Sequence, residues 1–276
     1  MKIICDSPGQ TCNRLWSYVP TLSECIVNKN RVAILFFDET IEQFPHFLHS
    51  KYTWFPLFCK RFLHSKNGWN KFKGLTWKLC HDKSWERFWI LTRCTYGWHQ
   101  RGVTQFIDEA KPELRRIFTP SEEIVERCRQ AFLPYRASNT ILVGVHIRRG
   151  DYKTWNDGQF YFENSVYINY MQQITRLFSN KSIYFYISTN EKLDDTDFKQ
   201  FNRITIPHAG VVDDLYALSQ CDYIIGPVST FSRWASFIGE RPLCFLYGPS
   251  QQLSLDDFSP IQSFFRFKNG KEILDW

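Results

Sequence analysis

The chain has 276 residues, with 34 Lys and Arg against 28 Asp and Glu for a formal charge of +6. That length holds one large domain or two modest ones, and two is the expectation, each with its own core. The positive balance fits phosphate ligands without naming one, and no apolar run is long enough to cross a bilayer.

Nine cysteines are scattered without a Cys-x-x-Cys pair, which argues against a zinc site or disulfide framework and for reduced, buried thiols. The chain opens directly on strand-like Met-Lys-Ile-Ile-Cys-Asp with no signal-peptide pattern. The expectation is therefore a soluble, cytoplasmic protein in which the Asn180-Lys181-Ser182 sequon is fortuitous.

Lys2 to Cys5 reads as a first strand. The stretch Asp6-Ser7-Pro8-Gly9-Gln10-Thr11-Cys12-Asn13-Arg14-Leu15 follows, then an apolar helix to about Val27. Strand, glycine-bearing loop and helix start together form a backbone cradle for an anion, because the first amides of a helix lack intrahelical partners. Arg31 to Phe37 reads as a second strand. Residues 40 to 105 lose clear periodicity and hold six tryptophans, at 54, 69, 77, 85, 89 and 98, among many cations. A nucleic-acid surface of stacked rings and basic side chains is one reading of that stretch. An insertion shaping an acceptor site, with several rings filling its own core, is the preferred one. His46 and His49 lack a third metal ligand at useful spacing. Thr119-Pro120-Ser121-Glu122 predicts a helix capped by Thr119 and running to about Phe132. Pro134 to Asn139 reads as a linker, so the expected domains are 1–136, on the acceptor side with the Trp-rich insertion, and 137–276.

The apolar run Ile141 to Val145 predicts a strand buried on both faces. It stops at His146, Arg148, Arg149 and Asp151, which crowds polar groups onto the strand's carboxyl end. In an open α/β sheet ligands bind at that edge. Two adjacent guanidinium groups there point to an anion such as phosphate. A surface turn neutralised by Asp151 is the bland alternative. Beyond it, strands at 182–187, 203–206, 223–225 and 243–247 alternate with helices at 161–178, 213–220 and 232–238, which predicts a parallel, doubly wound sheet. Ser229, Thr230 and Ser232 cluster at a strand end and helix start, where hydroxyls and amides suit a phosphate. Asp213 and Asp214 begin another helix and could simply cap it. Asp195-Thr196-Asp197 has the Asp-x-Asp form of a metal site but lies in a polar run. Arginines and a helix terminus would make a metal redundant, so the expectation is no metal and no cofactor.

His146-Ile147-Arg148-Arg149-Gly150-Asp151-Tyr152 resembles the His-x-Arg-Arg-Gly-Asp-Tyr peptide of α-1,2-fucosyltransferases, and more loosely that of α-1,6- and protein O-fucosyltransferases. Two further peptides are similar to that group: Asp214-Leu215-Tyr216-Ala217-Leu218-Ser219-Gln220 and Ser229-Thr230-Phe231-Ser232-Arg233-Trp234. Gly9, Asn13 and Arg14 occupy the places of the family's opening glycine loop. The resemblance implies a GT-B-like α/β fold of two Rossmann-like domains facing across a cleft, the C-terminal one binding the GDP-sugar. It implies that Arg148, with Arg149 next in importance, grips the β-phosphate, that His146 faces guanine, and that Asp214 accepts from guanine N1 and N2. A carboxylate suits the two adjacent donors of that base edge.

The function expected is inverting, metal-independent transfer of L-fucose from GDP-β-L-fucose to a sugar hydroxyl of a glycan, in an α-1,2 linkage. The alternatives are a transferase using another GDP-sugar, or a non-catalytic glycan- or nucleotide-binding protein of the same fold. Partners are the donor and a glycan acceptor, without nucleic acid or membrane insertion. For the base that deprotonates the acceptor, Asp157, near where α-1,6-type relatives place a glutamate, ranks ahead of Asp6.

Overall fold

The computed structural model describes residues 1–6, 8–37, 39–57, 94–193, 195–268 and 271–273. Most of the Trp-rich stretch, with Trp69, Trp77, Trp85 and Trp89, lies outside the described residues, as do Ser7 and Asp194. The chain divides into two compact units, Met1–Ser121 and Glu122–Trp276.

The first unit contains β1 (Lys2–Ile4), α1 (Thr11–Val27), β2 (Val32–Ile34), α2 (Pro45–Leu48), β3 (Thr53–Trp54), β4 (Cys94–Thr95) and α3 (Ile107–Ile117). Its strands lie in the order β3-β2-β1-β4, and every pair is parallel. Val32, Ala33 and Ile34 are all fully buried, as a strand covered on both faces requires. Against them α1 buries Leu15, Trp16, Tyr18, Val19 and Leu22. A cluster of phenylalanines fills the space beside it: Phe47 lies 4.5 Å from Phe118 and 5.1 Å from Phe55, centroid to centroid. Each such ring contributes roughly 1.5–3 kcal/mol by burial.

Helix α3 lies in a stretch to which the sequence reading assigned no element, and Pro112 stands inside it, where proline ordinarily breaks a helix. Here Pro112 sits on the exposed face. Ile107, Ala110, Leu114 and Ile117 form the buried stripe at helical spacing. The expected cap at Thr119 is not formed. Its hydroxyl donates to the Arg115 carbonyl at 2.9 Å, closing α3, and the next helix begins only at Glu122.

The second unit contains α4 (Glu122–Phe132), β5 (Thr140–Ile147), α5 (Asn164–Leu177), β6 (Ser182–Thr189), β7 (Arg203–Ile204), α6 (Val211–Gln220), β8 (Tyr223–Pro227), α7 (Thr230–Gly239) and β9 (Leu243–Leu246). A short antiparallel hairpin, β10 (Arg266–Lys268) with β11 (Lys271–Ile273), follows. The main sheet has the order β7-β6-β5-β8-β9 and is parallel throughout. From the central β5 the chain winds outward through β6 and β7, then crosses back to add β8 and β9 on the other side. Its direction of winding reverses between β5 and β8, the point at which such sheets leave a crevice for ligands.

The division between units falls before α4, whereas the linker-like 134–139 segment had suggested a boundary after it. The reason is the packing of α4 on α6 and β6. Arg127 Nε meets Asp213 Oδ1 at 2.7 Å, and Phe132 packs on Tyr186 with centroids 5.6 Å apart. Among the described residues Cys5, Cys12, Cys25, Cys128, Cys221 and Cys244 are buried, as expected, and Cys25, Cys128 and Cys221 are free thiols. No helix among the described residues is long and apolar enough to cross a membrane.

Candidate functional site

The strand β5 ends where the sequence concentrates polar residues. His146 is buried against β8, so closely that a Cβ on Gly226 would meet the His146 Cβ at 2.9 Å. Its ring lies 5.0 Å from that of Phe231 at the start of α7. Burial, helped by the nearby Arg148 charge, drives the imidazole pKa down to about 3, so the ring is neutral at any physiological pH. Its Nδ1 is buried without a hydrogen-bond partner among the described residues, which is costly for a polar atom unless a ligand supplies one.

The two arginines that follow are placed differently. Arg148 keeps 15% of its side chain exposed, pairs with the exposed Asp151 at 2.7 Å, and lies 5.4 Å from the centre of the Tyr152 ring. Arg149 is buried and engaged within the unit. It donates to Asn164 Oδ1, meets Glu163 Oε2 at 3.4 Å, and lies over the Tyr161 ring at 5.1 Å. Asn164 in turn donates to Asp197 Oδ2 at 2.6 Å. The pair therefore divides into one guanidinium near solvent at the strand end and one locked into the scaffold.

On the β6 side, the two aspartates opening α6 have separate tasks. Asp213 caps the helix, accepting from the Gly210 amide at 3.0 Å, while also holding Arg127. Asp214 accepts from the Tyr186 hydroxyl at 2.6 Å and from Ser188 Oγ at 2.9 Å. Burial raises its pKa, and those two hydrogen bonds oppose the rise. Asp222 is a backbone clamp: it accepts from the Leu142 amide at 2.8 Å while its own amide donates to the Leu142 carbonyl at 2.7 Å.

On the β8 side, Ser229 caps α7 by accepting from the Phe231 amide at 3.2 Å. Ser232 is fully buried and donates to the Ser229 carbonyl at 3.4 Å, so its hydroxyl is committed inside the first turn. Thr230 is part-exposed at the same terminus. Tyr152 ties the arginine peptide to this end of the sheet, donating to the Val228 carbonyl at 2.6 Å. Arg148, Asp214, Ser229 and Thr230 thus come to the carboxyl edges of β5, β6 and β8, adjacent strands of one sheet.

Within the first unit, Gly9 has a left-handed φ of 44°, and its carbonyl accepts from Arg14 Nη2 at 3.0 Å. Asn13 lies directly over it, since a Cβ there would stand 2.3 Å from Asn13 Nδ2. Arg14 lines a hollow with Thr11, Tyr18, Phe37 and Phe44. Asp6 is buried with both oxygens in use, accepting from the Gly97 amide at 2.9 Å and the Trp98 amide at 2.7 Å. Desolvation raises its pKa to about 6. Asp157, by contrast, is exposed. It is the middle residue of a left-handed run, Asn156, Asp157 and Gly158, with φ of 49°, 56° and 75°. Two successive non-glycine residues in that region store strain of a kind that clusters at functional loops.

His46 and His49 line an open hollow with Ser50, Lys51, Glu113 and Arg116. Among the described residues no group of three or more His, Cys, Asp or Glu side chains is placed to hold a metal ion. Tyr186, Ser188, Asn190 and Glu191 escaped the sequence reading, which saw only an apolar strand and a solvated loop. Tyr186, Ser188 and Asn190 alternate with period two, the signal that puts side chains on one face of a strand.

The family model of glycosyl transferase family 11 matches residues 59–250. No curated protein matches the chain. Among solved structures, a mutant of Arabidopsis thaliana FUT1 in complex with GDP superposes with a TM-score of 0.56 at 11% identity, covering 95% of this chain and 74% of that one. POFUT1 in complex with GDP-fucose gives 0.51 at 9% identity, covering 87% and 94%. These likenesses are of fold, and they bear out the GT-B-like α/β class expected from the sequence.

Proposed function

Because the chain belongs to glycosyl transferase family 11, a fucosyltransferase family, we propose that it transfers L-fucose from GDP-β-L-fucose to a sugar hydroxyl with inversion, forming an α-1,2 linkage. The observation that carries this reading is that Arg148 follows β5 and the capped start of α7 follows β8, the adjacent strands between which the winding of the second sheet reverses. A guanidinium fork and a helix N-terminus at a switch point suit a nucleoside diphosphate. The solved POFUT1 complex holds GDP-fucose on the same general fold.

In the proposed reaction the bond between fucose C1 and the β-phosphate oxygen breaks, and GDP departs with the electron pair. The acceptor oxygen bonds C1 from the opposite face and gives up its proton. Arg148 neutralises the charge that grows on the leaving phosphate, and Ser229 and Thr230 supply a hydroxyl-rich helix start beside it. Asp214 takes the base edge of guanine. Tyr186 and Ser188 aim its carboxylate, and its partial burial strengthens bonds to a ligand's N–H donors. His146 stays neutral and offers its unpartnered Nδ1 to the nucleotide. Arg149 acts by anchoring the turn.

For the acceptor's proton, the Asp157 carboxylate is the stronger assignment, because Asp6 already accepts two backbone amides. Asp157→Asn should lower kcat by about 10²-fold with the KM for GDP-fucose unchanged. Asp6→Asn should act through stability instead. Full activity in Asp157→Asn would remove that assignment. The overall reading is tested by incubating the protein with GDP-fucose and a panel of glycan acceptors, then determining the linkage of any product by NMR. Hydrolysis or transfer of another GDP-sugar in preference to GDP-fucose would overturn it.

A further inference from the structure

Strands β5 and β6 pair in register as far as Ile147 opposite Thr189. Past that point β5 turns away through Arg148, Arg149 and Gly150, the last at φ 62°. Two side chains just beyond β6 then continue the ladder. Asn190 Oδ1 accepts from the Arg149 amide at 2.8 Å, and its Nδ2 donates to the Arg149 carbonyl at 3.4 Å. Glu191 Oε1 accepts from the Gly150 amide at 3.0 Å. The approach is close, since a Cβ at Gly150 would stand 3.2 Å from Asn190 Nδ2. One side-chain amide thus satisfies both backbone groups of the residue after Arg148. The peptide linking the two arginines is fixed at its nitrogen, and the next is fixed at both ends.

We infer that Asn190, assisted by Glu191, is a positioning residue that sets the direction in which Arg148 presents its guanidinium to the departing diphosphate. The inference rests on the donor-site reading above. Arg149 does not take over the task, because its own guanidinium is held by Asn164, Glu163 and the face of Tyr161. An arginine that stabilises a developing charge works only within a fraction of an ångström of its place, so the clasp belongs to the reaction although it touches no substrate.

The experiment compares steady-state transfer from GDP-fucose by the full chain and by Asn190→Ala, Asn190→Asp, Arg148→Lys and the Asn190→Ala/Arg148→Lys double variant. Asn190→Ala should lower kcat about 10- to 100-fold while the KM for GDP-fucose moves less than about threefold. Asn190→Asp retains the shorter of the two bonds and should keep kcat within about fivefold of the parent. In the Arg148→Lys background, Asn190→Ala should cost less than about threefold, because the fork it aims is gone. Parent-like activity in Asn190→Ala, or the same loss in both backgrounds, overturns the inference. If Asn190→Ala does not fold, the exposed Glu191→Ala serves: kcat down at least about threefold with an unchanged melting midpoint supports the clasp, and unchanged kcat overturns it. Absence of fucosyl transfer by the parent protein overturns the donor-site reading and this inference with it, whereas the outcomes above overturn the inference alone.

Discussion

Arg148 and Arg149 are neighbours in sequence with the same chemistry, yet one stays part-exposed at the strand end and the other is part of the scaffold. The same separation of roles recurs in Asp213 and Asp214, and it makes a residue-level prediction. Asp214→Ala should weaken GDP binding by roughly 1.5–3 kcal/mol, the range for hydrogen bonds to a charged group. Asp222→Ala should leave GDP affinity unchanged and lower the melting temperature, because Asp222 holds the Leu142 backbone. Calorimetry with GDP on both variants decides it, and the reverse order would mean that another face of α6 reads the base. A second residue-level prediction concerns pH. His146 has a folded pKa of about 3 against 6.5 ordinarily. As pH falls below about 6.5 the unfolded chain takes up a proton that the folded one refuses. Its contribution to stability is complete above that value and is lost progressively down to about 3. Denaturant midpoints at pH 7 and pH 5 should converge when His146 is replaced by Asn, and an unaltered gap between them would contradict the buried neutral imidazole.

Among the elements, those with a clean apolar period could be read from the sequence, and those decided by tertiary partners could not. The run from Ile141 to Val145 announced β5, and the alternation of strands and helices after it announced the parallel sheet. Helix α3 was hidden because Pro112 opposes a helix locally, a cost that the buried stripe of Ile107, Ala110, Leu114 and Ile117 offsets. The cap predicted at Thr119 failed because its hydroxyl found the Arg115 carbonyl first. In the site, the arginine peptide and the start of α7 were visible as clustered polar residues. Asn190 and Glu191 were not, because their role depends on which strand lies beside β5, and strand order is absent from a linear pattern. The strained turn at Asn156 and Asp157 was equally hidden, since neither residue type demands a positive φ.

At the level of the whole molecule, each unit has its own parallel sheet, and α4 belongs to the second. A fragment spanning 122–276 should therefore fold and bind GDP. One starting at residue 137 should be destabilised, because it leaves Asp213 without Arg127 and uncovers Tyr186 where Phe132 packs. Thermal melts of the two fragments check this, and equal stability would restore the boundary to the 134–139 segment. The central claim is that this chain moves fucose from GDP-fucose with Arg148, and no metal ion, neutralising the leaving diphosphate. The most direct measurement is fucosyl transfer from GDP-fucose to a glycan acceptor in excess EDTA, by the parent protein and by Arg148→Ala, with both shown to be folded. The account predicts full parent activity with inversion at C1 and a kcat about 10²- to 10³-fold lower in the variant. Loss of parent activity in EDTA restored by manganese or magnesium, or near-parent activity in Arg148→Ala, would contradict it.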